Sequence, residues 1–520
     1  MFSRSRVCVA LALALVASLV GATGRLAADS GRDPAPLIDK MAVAVGGDQR
    51  LDQIETVVIS ATGTRWVLDE GVRAGDGAGV PGDYELQAAF DDPGDRLRLD
   101  YDINSSRFGP RQISELIGPS GGYLIGQNSV VAPPGVAPMQ TDRLLSITTH
   151  QLLMNPQILV HQLATGVLSA TLDRSVRLGG VRHDILLVER DGASPLKVIV
   201  NWRTGLIKRI ETMESDPLRR DVKLVVRYGL WHRFEGDLRV PTRVTVTYAG
   251  QLIQRETRQS VTVNGELAED LFEAPPGVTP VFDAALVSRG VNSHQHLQSF
   301  AALGFPLDGL QLNVVGTELA PGVHWLSGGT HHSLLIEQQD GLVLVDAPLN
   351  EYRAQALLDY IGANFPGTPI THLAQSHHHV DHAAGARTIL AEGADLVVHR
   401  SASQFWFRIM RADSTVVPDV PPFTRIRSRI HTVPDGGVAI VGSGPNAVEL
   451  HSFEQGHADD LVMAVAGGVA FIVDFYNPFP GAPLPPEGQV ILDVIADRNL
   501  DVDIISGGHG AFVNVADFEN

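Results

Sequence analysis

Along the first half of the chain, hydrophobic and polar residues alternate. The runs "IETVVISATG", "YELQAAF", "RLRLDYDI", "DILLVER", "LKVIVNW", "DVKLVVRYG" and "RVPTRVTVTYAG" all carry this period of two, with Gly, Asp and Pro between them. Successive side chains of a strand point to opposite faces, so the pattern predicts an antiparallel sheet with one wet face. A short amphipathic helix is expected at Pro36 to Val45, a longer one at about Thr148 to Thr165, and a polar loop over residues 69 to 83, "DEGVRAGDGAGVPGD".

The texture changes after "FEAPPGVTPVF", residues 272 to 282. From about residue 311 short apolar runs such as "GLVLVDAP", "THLAQS", "ADLVVHR" and "GVAFIVDF" alternate with helical stretches, among them Glu351 to Ala363 and Val490 to Arg498. That alternation predicts a layered α/β domain. The expected organisation is a mostly antiparallel β domain at 35–280, a linker at 281–310 and an α/β domain at 311–520. A chain of 520 residues leaves room for two such cores at roughly 150 residues or more per domain.

The start, "MFSRSRVCVALALALVASLVGA", sets Arg4 and Arg6 before an apolar run that ends in small residues, the form of a secretory signal peptide over 1–22. The expected location is periplasmic or secreted, with no transmembrane span in the mature protein. Cys8, the single cysteine, lies inside that signal, so the mature chain would have neither disulfides nor thiolate metal ligands. Residues 311 to 520 contain 9 Arg and no Lys against 24 Asp plus Glu, a net of −15. Such a surface repels a polyanion, which argues against nucleic acid and for a small-molecule substrate. Nothing in the sequence fixes an oligomeric state.

The chemistry is concentrated in "SHHHVDHAAGAR", residues 376 to 387. His377, His379, Asp381 and His382 form an H-x-H-x-D-H pattern between an expected strand and an expected helix. Two histidines two apart can take one ion, and Asp381 and His382, offset along the turn, can reach a second. Each ion needs further ligands, because zinc prefers four donors and a catalytic site keeps one position for water. His457 precedes an apolar run, while Asp474 and His509 end two others. A buried strand that ends on such a group beside glycine is costly unless the group is paired or metal-bound.

Together these residues resemble the motifs of the metallo-β-lactamase fold superfamily, an αββα sandwich. Asp346 in "GLVLVDAP" matches the first motif, His377, His379, Asp381 and His382 the second, and His457, Asp474 and His509 the third to fifth. The resemblance implies that His377, His379 and His457 hold one ion, that Asp381, His382 and His509 hold the other, and that Asp474 bridges them. Asp346 would orient the loop without touching metal, and His378 would face away. It further implies two divalent ions, zinc by preference with iron or manganese as alternatives, and a metal-bound hydroxide that attacks the substrate, with Asp381 and Asp474 as catalytic groups.

Asp474 stands where β-lactamases proper carry Cys or Ser, which favours a small ester or lactone over dedicated antibiotic hydrolysis, with β-lactam, sulfate-ester or phosphoester bonds as the alternatives. His331, His332 and Tyr352 are candidate substrate contacts, the two histidines alternatively being ordinary surface residues. "GHADD" is shorter than the superfamily's usual form, making Asp459 or Asp460 a candidate support for the ligands. Arg425, Arg427 and Arg429 alternate and would share a strand face. Two rival functions remain. One is a mononuclear iron sulfur dioxygenase; the other is a lipid or hydrophobic-ligand binding protein, since the N-terminal sheet weakly resembles the half-barrels of periplasmic lipoprotein carriers.

Overall fold

The computed structural model describes residues 32–46, 51, 53–91, 96–106, 109–118, 120–128, 133–190, 193–234, 238–282, 313–417 and 429–518. The expected signal with Cys8, nearly all of the 281–310 linker, and Arg425 and Arg427 lie outside the described residues. The chain divides into two units, one comprising Met1–Val67, Val80–Ser215 and Asp221–Pro306, the other Leu68–Gly79, Asp216–Arg220 and Leu307–Asn520. Two short segments from within the expected 35–280 domain therefore group with the C-terminal unit. One is the connection between the strands Thr56–Leu68 and Ala78–Asp91, and the other joins Ile207–Asp216 to Arg220–Arg233.

The first unit is a 13-stranded sheet. It meanders from the edge strand Gly135–Pro138 back to Thr56–Leu68, which pairs antiparallel with Gln251–Val263, and then in reverse order to the other edge at Ala170–Leu178. The alternation has the expected effect: strand Arg96–Ser105 buries Leu97, Leu99, Tyr101 and Ile103 and leaves Asp102 and Asn104 exposed. Helix Ala35–Val45 packs on helix Pro156–Ala164, and both pack on strand Arg239–Tyr248.

The expected helix at 148–165 is in fact two, Thr141–Met154 and Pro156–Ala164. Proline excludes the residue before it from helical geometry, and Asn155 sits at φ −116°, ψ 76°. Pro156 then begins the second helix, where its missing N–H is not needed.

Part of this unit's core is polar. Arg143 is buried against Glu115 at 2.7 Å, Arg258 against Glu256 at 3.2 Å, and the Arg65 guanidinium lies between the rings of Tyr84 and Tyr101. A groove of about 1070 Å³ on the sheet is lined by Asp83, Glu85, Asp102, Arg111 and Arg255 among others. A wholly apolar ligand there would strip water from those charges. Among the described residues no helix is long and apolar enough to cross a membrane.

The second unit stacks a seven-stranded sheet on a six-stranded one. The first sheet runs in sequence order from Val315–Ala320 to Ile430–Val433. It is antiparallel up to Gly341–Val345, then parallel through Ile370–Ala374 and Asp395–His399. Val343, Val345 and Val397 from this sheet meet Leu450, Met463, Phe471 and Ile505 from the other in one core. The strands Gly341–Val345, Val462–Ala466 and Val469–Ile472 are buried at every position, which explains their unbroken hydrophobic runs. Helices Glu351–Asn364 and Ala386–Ala391 pack on each other, and the latter on Ile370–Ala374. Helix Pro486–Asp497 buries Ile491 and Ile495 in the core shared by the sheets. The C-terminal unit is thus the expected layered α/β sandwich, preceded by the expected antiparallel β sheet.

Candidate metal centre

The candidate residues gather where strands end. Asp346 follows strand Gly341–Val345, His377 follows Ile370–Ala374, Asp474 follows Val469–Ile472 and His509 follows Ile504–Gly507. Strand ends are where an open α/β sheet leaves backbone free to turn a side chain into a crevice. Asp346 and Asp474 both adopt left-handed backbone, φ 62° and 56°, a conformation that costs non-glycine residues about 1–2 kcal/mol. Such strain persists where the surroundings fix it, as here, with both carboxylates buried. At Gly508 an added Cβ would lie 2.0 Å from Val473 Cγ1, so the strand carrying Asp474 approaches the His509 loop only because residue 508 has no side chain.

Two groups of donor atoms result. His377, His379, His457 and Asp474 form one, and His331, Asp381, His382 and His509 the other. In the first, His457 Nε2 lies 3.0 Å from His379 Nδ1 and 3.3 Å from His377 Nε2. In the second, His382 Nε2 lies 3.1 Å from His509 Nε2. Asp474 touches both: Oδ2 is 3.3 Å from His377, 3.1 Å from His457 and 3.3 Å from His382, while Oδ1 is 3.0 Å from His509.

The partners of the remote ring nitrogens set the tautomers. His379 Nε2 donates to the Gly71 carbonyl at 3.0 Å and His509 Nδ1 to the Thr330 carbonyl at 2.6 Å. The Ser376 hydroxyl donates to Asp346 at 2.7 Å, which leaves its oxygen to accept from His377 Nδ1 at 3.1 Å. His382 Nδ1 faces Asp346 Oδ2 at 3.4 Å. The inward nitrogens of His377, His379 and His509 therefore carry lone pairs, and each faces an oxygen of the Asp474 carboxylate, at 3.3, 4.0 and 3.0 Å, where acceptor meets acceptor and no hydrogen bond forms. A cation between them resolves the conflict. Zinc–nitrogen bonds of 2.0–2.1 Å in a tetrahedron separate the donors by about 3.3 Å, which the 3.0–3.3 Å spacings of these nitrogens match. The residues present fit a pair of divalent ions.

Without a metal the charges lean on each other. Burial opposes the Asp474 carboxylate, but His382 and His457 outweigh it and hold its pKa well below the usual range. For His382 burial also opposes charge, and Asp474, Asp381 and Asp346 together raise its pKa well above the ordinary value. Burial, with neighbouring imidazoles, lowers His377 and His379.

Asp346 acts at one remove: it accepts from the Ser376 N–H and hydroxyl, both at 2.7 Å, and from Gln375 Nε2 at 3.1 Å. His378 turns aside, its Nδ1 2.7 Å from Asp460 Oδ1, so Asp460 rather than Asp459 supports this loop from below. His331 and His332 are not surface residues. His331 is fully buried with Nε2 3.3 Å from Asp381 Oδ2, inside the second donor group; burial, then His509, lowers its pKa to about 3 and keeps it neutral. His332 faces elsewhere, against the Trp325 ring at 4.4 Å and the Gly510 carbonyl at 3.2 Å. Tyr352 is buried on helix Glu351–Asn364. His372, though close in sequence, joins Asp395 and His431 in a separate, partly exposed group.

Fold and site together define an α/β domain built around a candidate pair of metal sites. Residues 326–509 match the family model described as the metallo-beta-lactamase superfamily, and this C-terminal region is a domain of that superfamily. Among solved structures, a metallo-beta-lactamase from Pontibacter korlensis is 15% identical, covering 40% of this chain and 96% of that one at a TM-score of 0.31. One from Hirschia baltica is 15% identical, covering 40% and 95% at 0.30. A stereoselective inverting sec-alkylsulfatase from Pseudomonas sp. is 18% identical, covering 40% of each chain at 0.30. No curated protein matches.

Proposed function

We propose that this protein is an exported dinuclear metallohydrolase, zinc its most fitting metal, that cleaves a small ester or lactone. The support for two ions is Asp474, whose Oδ2 lies 3.1–3.3 Å from His377 and His457 of the first group and from His382 of the second, and whose Oδ1 lies 3.0 Å from His509 of the second, so that one carboxylate stands between both groups. A pair of bound divalent ions lowers the pKa of a water toward neutrality and polarises the substrate oxygen.

The chain's own groups do the rest. His331 holds Asp381 Oδ2, while Asp381 Oδ1 is buried and, among the described residues, meets no hydrogen-bond donor. That oxygen can accept a hydrogen from the attacking water and aim its lone pair at the substrate carbonyl. Asp346, through Ser376, keeps His377 in register. The net charge of −15 over residues 311 to 520 supports a small, uncharged substrate over a polyanion. Export rests on the residues 1–22 pattern.

The test is a substrate panel of lactone, aryl ester, sulfate ester, phosphodiester and β-lactam with the wild type and Asp474→Ala. Hydrolysis of the lactone or aryl ester that falls by about 100-fold or more in the variant is the expected outcome. Turnover of another panel member would reassign the bond cleaved. A single iron per chain with no hydrolysis would replace the reading with the oxygenase.

A further inference from the structure

Glu70 lies some three hundred residues before the metal motifs, in the Leu68–Gly79 segment that links two strands of the 13-stranded sheet but groups by contact with the C-terminal unit. Its side chain is fully buried. Oε1 accepts from the Val380 N–H at 3.0 Å, between His379 and Asp381, and Oε2 lies 3.5 Å from His379 Nδ1, the nitrogen that faces His457. Glu70, His379 and Asp381 offer donor atoms that all lie within 4.8 Å of one another. The next residue, Gly71, supplies the carbonyl that fixes the His379 tautomer.

The segment is tied down on the same side. The Asp459 N–H donates to the Val72 carbonyl at 2.8 Å, and Arg73 pairs with Asp459 at 3.0 Å, two residues beyond His457. Arg219 from the second inserted segment clamps Asp69 at 2.5 Å. Gly79 closes the loop: a Cβ there would lie 2.2 Å from the Glu70 carbonyl carbon.

We infer that Glu70 is an additional carboxylate of the metal centre, directed at the divalent ion held by His379, so that the centre is completed by a segment far outside the matched superfamily region. The inference rests on the dinuclear reading above. Glu70 Oε1 takes the Val380 N–H while Oε2 lies beside the inward nitrogen of His379, where a divalent ion on that nitrogen would meet it. With Glu70 the two ions face three carboxylates instead of two, which strengthens their retention.

The test is competition with a chromophoric chelator for Zn²⁺, together with the visible spectrum of the Co²⁺-substituted protein, in wild type, Glu70→Gln and Glu70→Asp. Glutamine keeps an acceptor for Val380 and removes only the charge. Glu70→Gln is expected to weaken one of the two ions by about 10- to 100-fold and shift the Co²⁺ bands, with unchanged thermal unfolding of the chelated protein. If Glu70→Gln does not accumulate in folded form, Glu70→Asp, which keeps the charge and withdraws the oxygen, reads the same quantities. Two Zn²⁺ affinities within twofold of wild type and an unshifted spectrum would overturn the inference. A wild type that itself takes up fewer than two ions would instead remove the dinuclear reading on which it stands.

Discussion

Asp346 receives both the N–H and the hydroxyl of Ser376 at 2.7 Å, and through that hydroxyl it reaches His377. One carboxylate thus fixes the loop that carries the donors without joining either donor group. Asp346→Asn suits the left-handed backbone at φ 62° but replaces an oxygen that faces two donors with an amide. The variant is expected to remain folded and to bind zinc about 10- to 100-fold more weakly. Chelator competition that returns the wild-type affinity would show that the loop holds itself.

The His378–Asp460 pair carries a pH signature. Burial disfavours charge on His378, but Asp460 outweighs it and raises the pKa. A histidine with a raised folded pKa contributes stability that is fully present below its unfolded value of about 6.5 and is lost as pH rises through the folded value. Asp460→Asn should therefore cost the chelated protein most at pH 5.5, about 3 kcal/mol, and less at pH 9, where only a neutral hydrogen bond is forfeited. Urea midpoints of both proteins at the two pH values measure this. A cost independent of pH would mean that His378 never charges.

In the first unit the buried Arg143–Glu115 pair makes a different prediction. Glu115→Ala strands a buried guanidinium and should destabilise by about 3–5 kcal/mol. Replacing both residues, Arg143→Met with Glu115→Leu, should recover most of that loss, since an apolar pair needs no solvation. A double variant no better than the single would show that the pair's charges, not their isolation, hold the core.

Gly508→Ala should weaken metal binding and stability together, because the new methyl meets Val473 beside Asp474. Overpacking of this kind costs about 1–3 kcal/mol. Thermal unfolding and zinc content on the same preparation test it, and an unaffected variant would mean that the strand has room to move.

Much of the centre was legible in the sequence because its donors follow apolar runs, and a strand that ends in His or Asp advertises itself. The alternating half was legible for the same reason, its period being that of the pleat. What stayed hidden had no local signature. Glu70 sits in a stretch rich in glycine and charge that reads as a solvent loop, and nothing in "DEGVRAG" records that it folds against His379. The glycines were the one available signal, since Gly79 packs on the Glu70 backbone. The resemblance to the superfamily brings the His331 loop near the metals and so makes His331 a candidate substrate contact, but its burial against His509 and Asp381 depends on distant segments that no local pattern records. The break at Asn155 was legible in principle, as proline was there to be read.

The most direct measurement is an anomalous difference map at the zinc edge from crystals of the protein. The account predicts two peaks about 3.5–4 Å apart, one among His377, His379 and His457 and one among Asp381, His382 and His509, with Asp474 between them. A single peak, or density only at His372, Asp395 and His431, would contradict it.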